Sequence, residues 1–138
     1  MANQTQRPDT ALHNTSHLMQ YHDLIESIVA AMDARDAYTA KHSDRVADMV
    51  LVLATALDLS EDETTLLHMA AHLHDIGKIA VPDSVLRKAG PLTSPEWEEM
   101  RRHPVTGYEI LRKVDDFKEI AVLVRHHHER WDGRGYPD

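Results

Sequence analysis

The sequence predicts an all-α domain, and three observations carry that expectation. Gly and Pro are sparse, at five and six of 138 residues, and aromatics make up only 5%, a balance that favours helices over strands. Apolar residues recur at three- and four-residue intervals in stretches beginning near Tyr21, Val46, Leu66 and Phe117. Ser60 with Glu63, and Thr93 with Glu96, have the spacing of capping boxes, in which each side chain caps the other's backbone N–H. With 42% hydrophobic residues, a chain of 138 suffices for one core but not comfortably for two, so a single domain is expected.

Residues 1–20 are polar and without an apolar period, and are expected to form a flexible tail in which His13 and His17 are bystanders. From Tyr21 onward, Leu24, Ile25, Ile28, Val29 and Met32 mark a first amphipathic helix. Val46, Met49, Val50, Leu53 and Leu57 mark a second. Ser60 opens a third, with Leu66, Leu67, Ala70, Ala71 and Leu73 on its buried side, and that helix delivers His74 and Asp75. Gly77 and Pro82 end regular structure, leaving residues 78–92 as a connection with one short helix after Asp83.

Thr93 opens a helix that stops at His103, because Pro104 disfavours the α conformation before it and suits the first position of a new helix. The last helix carries Phe117, Ile120, Ala121 and Val124 on one face and runs into His126, His127, His128 and Glu129. Residues 131–138, with two Gly and a Pro, form a loop. The sequence ends inside that loop, so an interrupted domain is expected.

Composition excludes several functions. Without Cys there is no disulfide, thiolate metal site or thiol nucleophile. Neither a signal peptide nor a membrane-length apolar run is present, and a soluble, cytoplasmic protein is expected. A formal net charge of −8 disfavours tracking a nucleic-acid polymer and would repel phosphate. A phosphate-handling site would therefore need local positive charge, and eleven His make metal ions the obvious source.

His74 and Asp75, adjacent at the end of a buried helix, supply an imidazole and a carboxylate able to bridge two ions. Their segment, HDIGK at 74–78, is followed by HP at 103–104 and HHERWDGRGYP at 127–137. These motifs, in this order, resemble the HD-GYP subgroup of the HD superfamily of metal-dependent phosphohydrolases, over roughly residues 21–138. The resemblance implies an HD-domain helical bundle, here truncated on its C-terminal side, that hydrolyses the bacterial messenger cyclic di-GMP to a linear dinucleotide or GMP.

It further implies that His42, His74, Asp75, His103, His127 and His128 are metal ligands, with Asp75 bridging, and that Lys78 contacts substrate phosphate. Two divalent ions are expected, iron or manganese favoured and zinc or nickel acceptable, because Tyr38 stands where relatives with a third ion have Glu. Two such ions would polarise a phosphate, activate water and stabilise the leaving oxygen. The family domain also continues past the GYP motif into helices that bring another Asp ligand.

Gly133, Gly135, Tyr136 and Pro137 shape the last loop, through the φ freedom of Gly and the restriction before Pro. In the family that loop is associated with the mouth of the site and with contacts to diguanylate cyclase (GGDEF) domains. Two other readings stand beside this one: an HD phosphohydrolase acting on nucleotides or alarmones, and a non-catalytic module that binds a partner through the GYP loop.

His68 and His72, four apart, share a helix face and form a rival, zinc-like pair, but are read as surface residues. His22 is read as solvated and His126 as exposed or supporting. Arg87, Lys88, Arg101, Arg102, Arg125 and Arg134 receive no individual role.

Overall fold

The computed structural model describes residues 15–35 and 41–138, and every regular element within them is helical. Residues 1–14 of the expected tail, and Tyr38 with the ion count drawn from it, lie outside the described residues. Residues 15–20 depart from the tail expectation. Thr15–Tyr21 is a 3-10 helix, Leu18 is buried in the core, and the Tyr21 hydroxyl donates to Asp116 Oδ2 at 3.0 Å.

Seven α-helices follow among the described residues: α1 (His22–Arg35), α2 (His42–Ala56), α3 (Glu61–Leu73), α4 (Asp83–Leu86), α5 (Ser94–Met100), α6 (His103–Leu111) and α7 (Lys118–His126). Between α3 and α4 the segment Ile76–Ala80 is a 3-10 helix rather than an irregular connection. Both capping boxes form. The Ser60 N–H donates to Glu63 Oε2 at 2.9 Å while Ser60 Oγ accepts from the Glu63 N–H at 3.2 Å, and the Thr93 N–H donates to Glu96 Oε2 at 2.7 Å.

The core lies where α3 crosses α1 and α7, with α6 packed on α7. Ile25, Met69, Leu73, Ile120 and Val124 are almost wholly buried there. Each contributes on the order of 1.5–3 kcal/mol through the apolar surface it removes from water. On α2 only part of the bulky apolar stripe faces the bundle: Val46 and Val50 are half-buried towards α3. Met49, Leu53 and Leu57 are more than half exposed, while the buried residues of α2 are Ser43, Ala47 and Ala54. Small side chains on that face let α2 approach α3 closely.

Candidate metal centre

α3 ends with its C-terminus at the middle of the molecule, so His74 and Asp75 leave the helix inside the bundle. Asp75 is 8% exposed and starts the 3-10 turn that carries Gly77 and Lys78. Gly77 lets this turn lie directly against α6. A Cβ at that position would sit 1.8 Å from the His103 carbonyl oxygen and 2.6 Å from the Gly107 nitrogen. The contact brings His103, first residue of α6, onto Asp75.

Three histidines are oriented by one device. His74, His103 and His127 each place Nδ1 2.7 Å from the carbonyl oxygen three residues earlier, on Ala71, Met100 and Val124 respectively. Carbonyls at the end of a helix lack intrahelical partners, and a ring N–H satisfies them. With Nδ1–H donated in this way, each Nε2 faces inward and carries a lone pair whenever the ring is neutral, the arrangement of metal-ligating histidines.

The consequence is visible between His103 and His127, whose Nε2 atoms face one another at 3.3 Å. Two neutral rings so held have no hydrogen to share. Two nitrogens bound tetrahedrally at ~2.0–2.1 Å to one ion stand about 3.4 Å apart, so a common ion fits the pair.

Asp75 joins two groups of ligands. Its Oδ2 lies 3.2 Å from His74 Nε2, and its Oδ1 lies 3.4 Å from His103 Nε2. Potential ligand atoms of His42, His74 and Asp75 lie within 4.8 Å of one another, and so do those of His103, His127 and His128. All six residues expected as ligands thus converge, in two trios around one carboxylate. Lys78, expected at substrate phosphate, donates to Asp75 Oδ2 at 2.7 Å.

Burial would raise the Asp75 carboxyl, but hydrogen bonds and charge from His74 and Lys78 outweigh it and hold the group well below the usual carboxylate range. Burial likewise opposes protonation of His74, and the neighbouring Asp75 carboxylate overrides it and raises that ring. His103, His127 and His128 are pushed down to about 4, by burial first and by neighbouring histidines second. Being neutral near pH 7, they are competent as ligands.

A depressed histidine pKa means that the unfolded chain takes up protons before the folded one does. In EDTA the melting temperature should therefore fall as pH drops from about 6.5 to about 4. Over that window the His74 contribution is fully present and Asp75 stays ionised, so neither cancels the trend. A melting temperature flat across thermal scans from pH 7 to pH 4.5 would contradict the burial of these rings.

The last loop closes over the second trio. Tyr136 stacks on His128 with centroids 4.6 Å apart and planes 19° apart, and the Arg101 guanidinium lies 5.4 Å from the Tyr136 ring centre. Gly135 passes so close to the chain that a Cβ would stand 2.4 Å from the Arg130 nitrogen and 2.6 Å from the His128 carbonyl oxygen. Gly133 has φ 68°, and the peptide between Tyr136 and Pro137 is cis.

Several placements were not legible in the sequence. Arg35 clasps the turn after Asp75, donating to the carbonyls of Lys78, Ile79 and Val81 at 2.6 to 2.9 Å and pairing with Asp83. No local pattern marks it, since its partners lie on another element. His126 is exposed, in keeping with its sequence reading, and meets Asp138 at 2.9 Å. The surface reading of His72 is corrected, whereas His68 and His22 are partly exposed. His72 is only 6% exposed, and the three rings cluster, because α1 lies against the His68 and His72 face of α3.

Helices converging on one buried carboxylate, a histidine pair and a histidine trio define a helical protein of the His/Asp metal-site class. The chain belongs to the HD domain family, whose model matches residues 21–138. Among its relatives, the cyclic di-GMP phosphodiesterase response regulator RpfG of Xanthomonas campestris is 43% identical over 118 residues, which is 84% of this chain and 31% of the relative. The 3'3'-cGAMP-specific phosphodiesterase 2 of Vibrio cholerae is 41% identical over 121 residues, 84% of this chain and 23% of the relative. A cyclic di-GMP phosphodiesterase of Thermotoga maritima is 38% identical over 117 residues, 83% and 32% of the two chains. The chain thus spans between about a quarter and a third of these relatives' length. No helix among the described residues is long and apolar enough to cross a membrane.

Proposed function

We propose that this chain carries the metal centre of an HD-GYP-type phosphodiesterase that hydrolyses cyclic di-GMP to the linear dinucleotide or GMP. The observation that supports it most is Asp75, one carboxylate with each oxygen beside a different histidine group. His42 and His74 would hold one ion, and His103, His127 and His128 the other. Iron or manganese is favoured, and zinc or nickel also suits imidazole and carboxylate donors. When bound, such ions polarise a phosphodiester, acidify water and stabilise a leaving oxygen.

The protein's own part is to hold each Nε2 inward through its Nδ1 hydrogen bond, to keep Asp75 ionised and to supply a cation at Lys78. That cation counters phosphate charge in a chain of net charge −8. The loop from Gly133 to Pro137 borders the site and serves as the contact for a diguanylate cyclase (GGDEF) domain. Its support is Trp131, fully exposed beside a loop anchored at Gly135 and Tyr136. A binding titration with such a domain, against Trp131→Ala, tests the contact.

The names of relatives at 43% and 41% identity favour two substrates, cyclic di-GMP first and 3'3'-cGAMP second. The deciding experiment loads the chain anaerobically with iron or manganese and follows both dinucleotides, a mononucleotide and an alarmone by product analysis. Cleavage of a cyclic dinucleotide is the expected result. Lys78→Ala should then lower kcat/KM by about 10²- to 10³-fold with the metal content retained. Turnover of only the mononucleotide or alarmone would favour a different HD phosphohydrolase. Full metal content without any turnover, together with GGDEF binding, would favour a non-catalytic module.

A further inference from the structure

Away from the centre just described, α1, α2 and α3 enclose a cleft of ≈ 910 Å³ whose lining includes His22, His68 and His72. His68 and His72 lie one turn apart on α3, and His22 is the first residue of α1. The ring centroids are 4.7, 5.6 and 5.9 Å apart, and one potential ligand atom from each lies within 4.8 Å of the other two. Imidazoles bound tetrahedrally at ~2.0–2.1 Å to one ion place their ring centres about 5 Å apart, inside that range.

His72 supplies the decisive detail. It is 6% exposed, and its Nδ1 is buried with no hydrogen-bond partner. The nearest carboxylate oxygen, Asp44 Oδ1, stands 3.7 Å away, too far for a hydrogen bond. A buried ring nitrogen left in this way is costly unless something ligates it. His68, by contrast, has its Nδ1 3.4 Å from the Ala47 carbonyl, the kind of outer contact that orients a metal-ligating ring and leaves Nε2 free.

Charge around the cleft has the sign a cation needs. Glu26, Asp33, Asp44 and Asp48 line it against Lys41. Glu26 Oε1 is 3.7 Å from His22 Nδ1, so a carboxylate or water can complete four-coordination.

We propose that His22, His68 and His72 form a second, separate divalent-metal site, suited to Zn²⁺, that ties the start of α1 to α3. It is independent of the phosphodiesterase reading and shares no ligand with the Asp75 centre. The site has three protein donors on two helices, and its occupation staples the bundle on the side away from His74.

Equilibrium dialysis against Zn²⁺ followed by elemental analysis tests it on the intact chain, on His22→Ala and on His68→Ala. Both substitutions fall at partly exposed positions, and circular dichroism checks that each variant is folded. Each variant should bind one equivalent fewer than the intact chain, or bind that equivalent at least about tenfold more weakly. The Zn²⁺-dependent rise in melting temperature should shrink with it. Asp75→Ala should keep this equivalent, so loss of the catalytic centre and loss of this site are read separately. Unchanged stoichiometry and affinity in both folded histidine variants would overturn the proposal.

Discussion

Replacing Asp75 with alanine should strip the chain of most of its metal and lower the proposed phosphodiesterase turnover by at least about a hundredfold, more than any single histidine change in the centre. Removing an outer partner of a metal ligand typically costs 10- to 100-fold in affinity or activity, and Asp75 is placed to be a ligand of both proposed ions. His103→Ala removes one donor from one trio, whereas Asp75→Ala removes an oxygen from beside each group. In EDTA the same change should cost on the order of 1–3 kcal/mol, because Lys78 and His74 lose their buried acceptor. Elemental analysis after anaerobic purification checks the first effect and chemical denaturation the second. Metal content equal to the unmodified chain would remove Asp75 from the centre.

Gly77→Ala should be the most damaging change of a single methyl group. The added carbon would meet the His103 carbonyl oxygen at 1.8 Å and its carbon at 2.7 Å, and neither atom belongs to a side chain that can swing away. Overpacking usually costs about 1–3 kcal/mol, and here the whole HD turn or the start of α6 must move, so the loss should reach the upper end or beyond. For a chain of this size that is roughly a 10 °C fall in Tm. Metal should be lost as well, because the displacement separates Asp75 from His103. Gly133→Ala makes the comparison, since its φ of 68° strains an alanine but leaves the added methyl in open space. It should cost only ~1–2 kcal/mol and spare the metal. Equal Tm and metal content for Gly77→Ala and the unmodified chain would mean that the turn does not lie on α6.

The two variants separate two parts of the same centre. Asp75 tests the donor set, which is chemistry carried by one side chain. Gly77 tests the backbone approach that brings donors from α3 and α6 together. A protein that tolerated Gly77→Ala but lost metal in Asp75→Ala would have its ligands assembled by some other contact.

Much of this was legible in the sequence. Composition and apolar period indicated helices, the capping boxes at Ser60 and Thr93 located two helix starts, and Pro104 placed His103 at a junction, all local effects that act within a turn of helix. The family resemblance carried by the spaced motifs named the six ligand candidates. Tertiary structure alone decided the rest. That His74, His103 and His127 each spend Nδ1 on a carbonyl three residues back depends on where their helices end and how their rings turn. That α2 packs through Ala47 and Ala54, leaving Met49 outside, depends on how closely α3 approaches. Arg35 finds its carbonyls on a turn more than forty residues away. His68 and His72 announced themselves as a pair by spacing, but only the docking of α1 adds His22 and buries the Nδ1 of His72. Period and motif are properties of neighbours along the chain, whereas burial and ligand convergence are properties of neighbours in space, fixed by packing between helices.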